Sequence, residues 1–285
     1  MVLAGAERAA YLCLMDLYAY FRRIGFSGDA RPDLATLKAI HRAHSLAVTY
    51  ENFDVQLGRP LTTDPAEAFD KIVRRGRGGW CYEMNGLLGA ALEAIGFEVT
   101  RLAGGVHRAT RGDEAVGNPL VLMVDIGGEP WIADVGFGDG SRDPFPLREG
   151  PVVSDGYAYR LERLDADWWR FHNHPLGGAP GFDFTADPAD PARLAHMCRE
   201  LQTSPQSPFV MVAVAQRHFG DEIRLLRGRV FRRVRGDRHD EQLIDAPDAF
   251  VALLKREFDL DLPEAAALWP RICERHEQFF ANAGA

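Results

Sequence analysis

Apolar residues change their spacing twice along the chain, and the changes divide it into three stretches. Up to Gly96 they recur every three or four residues, the period of helices with one buried face. Leu14, Leu17, Tyr18 and Phe21 form such a stripe in a helix expected from Ala6 to Phe21, ending near Gly25. Asp33 is a residue type whose carboxylate accepts from the free N–H groups of a first turn, and it opens a second helix with Leu34, Leu37 and Ile40 inward. Tyr50 to Phe53 reads as a loop. Asp64-Pro65-Ala66-Glu67 then offers an N-cap, a proline at the first helical position and an acidic third position, starting a helix whose core face is Ala68, Phe69, Ile72 and Val73. The strongest pattern follows Gly78-Gly79. There Cys81 opens a helix with Met84, Leu87, Leu88, Ala91, Leu92 and Ile95 apolar and Gly96 as its stop.

After Gly96 the period shortens to that of strands. Phe97 to Arg108, Leu120 to Ile126, Trp131 to Val135, Tyr157 to Leu164 and Trp168 to Phe171 are strand candidates, and Gly127-Gly128 joins two of them as a two-residue hairpin turn. This middle stretch predicts antiparallel β structure closed into a small barrel. A run rich in Pro, Asp and Ala from Ala186 to Ala192 marks the second change. Beyond it come a connecting helix (Arg193 to Leu201), strands (Phe209 to Gln216, Ile223 to Val234) and two helices (Ala246 to Phe258, Ala265 to Phe280). The expected units are a helical part over 1–96, a β-barrel over 97–192, and an interdomain helix with an α/β part over 193–285. The fold class is α+β.

Composition narrows the partners. The 285 residues are 46% hydrophobic with a formal net charge of −8 and no long basic run, which speaks for a globular chain and against nucleic acid or an anionic membrane as partner. No apolar run reaches the roughly 18–20 residues of a membrane helix, and the N-terminus lacks a signal-peptide pattern, so the expected location is cytoplasmic. Cys13, Cys81, Cys198 and Cys273 are widely spaced and are expected as free thiols. No metal site is expected: the alternating His172 and His174 lack a third ligand, and His41 and His44 read as two partly exposed helical histidines.

Cys81 alone has a setting that suggests reactivity. At a helix start, unpaired N–H groups and the positive end of the dipole favour thiolate, and a face shared with Met84 and Leu88 turns the sulfur inward. Arg77, just before the glycines, fits either a structural ion pair or an anion contact. The hairpin supplies a second residue. With Gly127-Gly128 as the turn, Ile126 pairs with Glu129, and counting outward sets Asp134 opposite Val121. Asp134 is read in two ways: as a strand-end acid satisfying N–H groups of the following glycine turn, or as a carboxylate that orients a base for the thiol. The second reading asks for a histidine at 119, and the residue there is Pro119.

Five stretches, taken with these residues, resemble the arylamine N-acetyltransferases along essentially the full chain. They are Tyr50-Glu51-Asn52-Phe53-Asp54, Leu57-Gly58-Arg59-Pro60, the Arg77 to Gly86 segment around Cys81, Trp131 to Gly138 around Asp134, and Thr203 to Phe209. The resemblance implies a helical bundle, a β-barrel and an α/β lid. It also implies ping-pong acyl transfer, in which a cysteine takes an acyl group from acetyl-CoA and passes it to an aromatic amine, hydrazine or N-hydroxyarylamine. By motif position Cys81 is the nucleophile and Asp134 its acid. Gly136, Gly138, Asp139 and Gly140 lie where the family approaches CoA, and Tyr50, Phe137 and Phe209 where it lines the acceptor pocket. The family's histidine falls at Pro119, which cannot take or give a proton.

His107 is the candidate substitute base. Pairing 107 with 119 would put it on the Asp134 face, while pairing 108 with 119 would turn it away, and the sequence leaves that register open. Two further readings accompany acyl transfer from CoA. One is an amide-forming relative that draws acyl chains from an acyl-carrier protein; the other is a pseudoenzyme that keeps the pocket for an aromatic ligand or a partner chain.

Overall fold

A computed structural model describes residues 15–280 of the chain. Its helices begin where short polar side chains cap them. Asp16 accepts from Ala19 at the start of α1 (Leu17–Ile24), and Asp33 accepts the Thr36 N–H at 2.8 Å at the start of α2 (Leu34–Ala47). The cap at Asp16 changes the expected first helix. It starts at Leu17 and runs three residues past Phe21 to the expected stop at Gly25, buries Tyr20 and Ile24, and leaves Tyr18 75% exposed; Ala6 to Leu14 lie outside the described residues.

A second departure follows α2. Tyr50–Glu51 is not a loop but a strand, β1, followed by the short helix α3 (Phe53–Gln56). Its pairing partner lies more than 160 residues away, too far along the chain for local pattern to reveal. Asp64 then caps α4 (Pro65–Phe69), which widens into a π-helical turn over Asp70–Arg74 and delivers the chain to α5 (Cys81–Ile95). Gly96 ends α5 in the left-handed region at φ 107°, where a side chain would be strained. Leu87, Leu88 and Leu92 of α5 are fully enclosed by residues such as Leu37, Ile40, Ile72 and Leu122, and burying each such side chain is worth about 2 kcal/mol.

The middle of the chain forms a nearly closed eight-stranded antiparallel barrel. Its strands are β2 (Glu98–Val106), β3 (Leu120–Ile126), β4 (Glu129–Ile132), β5 (Phe145–Pro146), β6 (Gly150–Ser154), β7 (Tyr157–Arg163), β8 (Trp168–His172) and β9 (Gly181–Thr185), in the order β5-β4-β3-β2-β9-β8-β7-β6. Ile126 pairs with Glu129 as the glycine turn requires, and the Ala133 N–H still reaches the Leu122 carbonyl one step beyond the ladder. Between β2 and β3 the chain is helical rather than open loop, with α6 (Arg108–Arg111) and a 3-10 turn.

A helix, α7 (Pro191–Thr203), leads to the short α8 (Pro208–Met211) and a second antiparallel sheet. That sheet is ordered β1-β10-β11-β12-β13, with β10 (Val214–Phe219), β11 (Glu222–Arg227), β12 (Val230–Arg235) and β13 (Arg238–Leu243). Phe209 is therefore helical, not the first residue of a strand. The helices α9 (Pro247–Phe258) and α10 (Trp269–Phe280) complete the chain, with a 3-10 segment, Pro263–Leu268, where the last helix was expected to begin. Through Phe250, Leu253 and Leu254 they share a core with Phe53, Ala215 and Phe231. No helix among the described residues is long and apolar enough to cross a membrane.

Candidate active site

Cys81 is the first residue of α5, as its pattern predicts, and its surroundings are built from three parts of the chain. The loop before it is pinned by backbone. The Gly79 N–H donates to the Thr49 carbonyl at 3.1 Å and the Glu51 N–H to the Gly79 carbonyl at 3.0 Å. A side chain at Gly78 would run into the Thr49 carbonyl, and one at Gly79 would lie 2.9 Å from Glu83 Cβ. The glycine pair thus lets the loop before Cys81 lie against β1.

Beneath that loop is a buried charge cluster. Lys71 Nζ is 2.8 Å from Asp54, 2.8 Å from Glu83 and 3.7 Å from Glu51; Arg77 is 2.7 Å from Glu51 and 3.3 Å from Asp54. Arg77 is thereby an internal ion-pair former. Glu83 also accepts the Trp80 N–H at 3.2 Å, so the cluster holds the amide next to Cys81. Burial opposes the Lys71 charge, but Glu51, Glu83 and Asp54 outweigh it and hold the ammonium above its ordinary value.

Behind the sulfur stands Asn85, one turn along α5. Its amide donates to the Leu120 carbonyl and to Asp134, both at 2.6 Å, and accepts the Val135 N–H at 3.0 Å. The Asp134 carboxylate also accepts the Gly136 N–H at 2.9 Å. Gly136 backs directly onto Cys81: a Cβ there would lie 2.9 Å from both its Cα and O. Asn85 was missed in the sequence although its i+4 spacing from Cys81 placed it on the same face.

The electrostatics reverse one expectation. Cys81 is 1% exposed, and burial pushes its thiol well above the ordinary value, with the neighbouring Cys198 adding to the rise and a hydrogen bond from the Leu120 backbone opposing it. Burial therefore works against the thiolate that a helix start favours. Burial also pushes the Asp134 and Asp139 carboxyls up to about 6, against the amides that bind them.

Pro119 stands just before β3, with a cis bond from Asn118. Its carbonyl accepts the Gly104 N–H at 2.7 Å, and Ala103 pairs with Leu120. That register sets 104 opposite 119, so odd-numbered positions of β2 face away from the Asp134 side. A Cβ at Gly104 would approach Pro119 Cδ to 2.7 Å, which explains the glycine. His107 lies beyond the end of β2, exposed and with a left-handed backbone at φ 62°. It is therefore not a strand residue on the Asp134 face.

A cavity of about 380 Å³ nevertheless brings many of the candidates together. Tyr50, Cys81, His107, Pro119, Gly136, Phe137, Asp139 and Phe209 all line it. Gly138, Gly140 and Asp134 do not; with Ser45 and His218 they border a separate small void. Asp139 is 1% exposed, and its carboxylate is held by the Gly178 N–H at 2.5 Å and Asn173 at 3.2 Å. Asn118, Gln216, Arg111 and Arg227 also line the cavity and went unnoticed in the sequence. Away from it, His41 and His44 are buried rather than partly exposed. His41 Nδ1 lies 2.9 Å from the Arg142 carbonyl and His44 Nδ1 2.9 Å from the Tyr20 hydroxyl, and burial pushes them down to about 4 and 3. His172 bonds Glu162 at 2.5 Å, and His174 accepts from Leu176, so the two do not act as a pair.

A helix-borne cysteine lining a cavity between a bundle, a barrel and a second sheet agrees with the comparisons to known proteins. The family described as N-acetyltransferase matches residues 33–267. The arylamine N-acetyltransferase of Mycolicibacterium smegmatis is 37% identical over 269 residues, covering 88% of this chain and 94% of its own length. The solved arylamine N-acetyltransferase of Mycobacterium abscessus superposes with a TM-score of 0.82 at 28% identity, covering 92% of this chain and 96% of that one. The Mycobacterium marinum arylamine N-acetyltransferase solved in complex with CoA gives 0.81 at 29% identity, covering 91% and 99%. The chain belongs to the arylamine N-acetyltransferase family.

Proposed function

We propose that the protein transfers an acetyl group from acetyl-CoA to an arylamine, arylhydrazine or N-hydroxyarylamine through a thioester on Cys81, slowly at neutral pH. The observation that carries this is the Cys81 sulfur on the wall of a cavity also lined by Phe137 and Phe209. In the first half-reaction the thiolate attacks the acyl carbonyl, a C–S bond forms and CoA leaves as its thiolate, taking a proton. In the second the amine nitrogen attacks the thioester, Cys81 leaves as thiolate and the nitrogen gives up a proton. Gly136, Gly138, Asp139 and Gly140 are proposed to border the CoA path. A relative's solved complex with CoA supports that donor.

Asp134 has Asn85 and backbone amides as partners where the family logic wants an imidazole. With Pro119 in that place, general-base help worth about 10²–10⁴-fold is missing. His107, on the same cavity wall, is the group that can serve in part. The unpaired Cys81, Cys198 and Cys273 support a cytoplasmic reaction.

The test is intact-mass spectrometry after incubation with acetyl-CoA. An acetyl adduct that disappears in Cys81→Ala is expected, with slower formation in His107→Ala if that imidazole assists. Absence of an adduct over hours at pH 8 would turn the reading to the second one, a pseudoenzyme that binds an aromatic ligand, which the buried, base-free thiol favours. An adduct from an acyl-carrier protein but not from acetyl-CoA would instead mark an amide-forming relative.

A further inference from the structure

One wall of the cavity carries a buried amide that the protein itself does not use. Gln216 on β10 is 8% exposed, and its side-chain amide has no hydrogen-bond partner among the described residues. Tyr50, its cross-strand partner on β1, is 6% exposed, and its hydroxyl likewise has none. Neither group is sealed from solvent; both side chains line the cavity, where a ligand can take the place of water as their partner.

The amide is also fixed in place. A Cβ at Gly138 would collide with its Oε1 and a Cβ at Gly178 with its Nε2, so it lies edgewise between two glycine backbones. Gly178 is itself anchored by the N–H it donates to Asp139 at 2.5 Å, while Asn173 donates to the other Asp139 oxygen at 3.2 Å. The chain from Asn173 through Asp139 and Gly178 thus presets the amide before any ligand arrives.

We propose that Gln216, with the Tyr50 hydroxyl beside it, selects acceptors whose aromatic ring carries a carboxamide. A glutamine edge presents one donor and one acceptor, and another amide edge satisfies both at once. The rings of Phe137 and Phe209 line the same cavity and suit a flat aromatic body. A carboxylate in that position is acceptor-only and would face both Gln216 Oε1 and the Asp139 carboxylate. Two cations, Arg111 and Arg227, line the cavity as well, but both are exposed to solvent, which weakens their hold on an anion. The inference rests on the reading of the cavity as an aromatic-amine site and names the substrate class within it.

The experiment measures dissociation constants by calorimetry for 4-aminobenzamide, 4-aminobenzoate and 4-methylaniline. The protein is the full chain without acyl donor, beside Gln216→Leu and Gln216→Met. Two neutral hydrogen bonds predict roughly tenfold tighter binding of 4-aminobenzamide than of 4-methylaniline. Both variants should keep the 4-methylaniline affinity, which reports an intact cavity, and lose the tenfold. The proposal is overturned if the amide binds no better than 4-methylaniline or 4-aminobenzoate, if its advantage survives in a folded variant, or if none of the three binds. Acetyl-adduct formation on Cys81, measured separately, keeps the two claims apart. An amide preference without an adduct supports this inference and refutes acyl transfer, and an adduct without the preference does the reverse.

Discussion

Alkylation of Cys81 by iodoacetamide reads the thiolate directly, without any substrate. A thiol at its ordinary value near 8.5 is about 3% thiolate at pH 7, and each unit of upward displacement removes another factor of ten. Burial displaces Cys81 upward, and Asn85, Gly136 and Pro119 offer no imidazole to reverse it. The second-order rate at pH 7 should therefore fall at least about tenfold below that of N-acetylcysteine and climb tenfold per pH unit through pH 9 without a plateau. Pro119→His supplies the missing group. Its imidazole, next to the sulfur and with Asp134 behind, should produce a plateau above roughly pH 6 and an arylamine acetylation rate higher by about 10²–10⁴. The assay is timed quenching with mass-spectrometric localisation, with Cys81→Ala as the blank for the other thiols. A parent Cys81 that already plateaus near pH 7 would refute the burial argument. A Pro119→His profile that overlays the parent would refute position 119 as the place for the base.

Lys71→Met leaves Glu51, Asp54 and Glu83 buried with Arg77 as the remaining internal cation, and breaking such a cluster should cost about 3–5 kcal/mol in urea unfolding. A loss under 1 kcal/mol would mean that water reaches the cluster. The pH dependence of stability has a definite sign at Asp139. Its folded carboxyl is held up at about 6, above the ordinary value near 4, so the folded state keeps a proton that the unfolded chain releases and stability falls as pH rises from about 4 to 6. Asp139→Asn removes that share, and the parent should lose up to about 3 kcal/mol relative to the variant between pH 4 and 7. Parallel stability curves for the two proteins would count against it.

Much of this architecture is written in short stretches. A carboxylate cap acts within three residues, so Asp33 and Asp64 set their helix starts from sequence alone. The start of α5 at Cys81 and the hairpin register from Gly127-Gly128 to Asp134 and Pro119 were likewise legible, because a turn and a two-residue period constrain everything counted from them. The face of the first helix that is buried and the nature of Tyr50–Glu51 were not, since each depends on what packs or pairs against it.

The chain by itself thus determined that Cys81 starts a helix and that Pro119 stands just before the third strand. Tertiary structure decided what surrounds each. The charge state of Cys81 is a sum over every group that excludes water from it, including Cys198 more than a hundred residues on, and that sum works against the helix end which made the thiol look reactive. His107 leaves the strand because the chain turns left-handed at the end of β2, and it reaches the cavity from outside the sheet. Gln216 faces the cavity because β1 pairs with β10 and because Gly138 and Gly178 leave room for its amide, an arrangement assembled from three distant segments. Contacts of that kind depend on distance in space, and no local pattern records them.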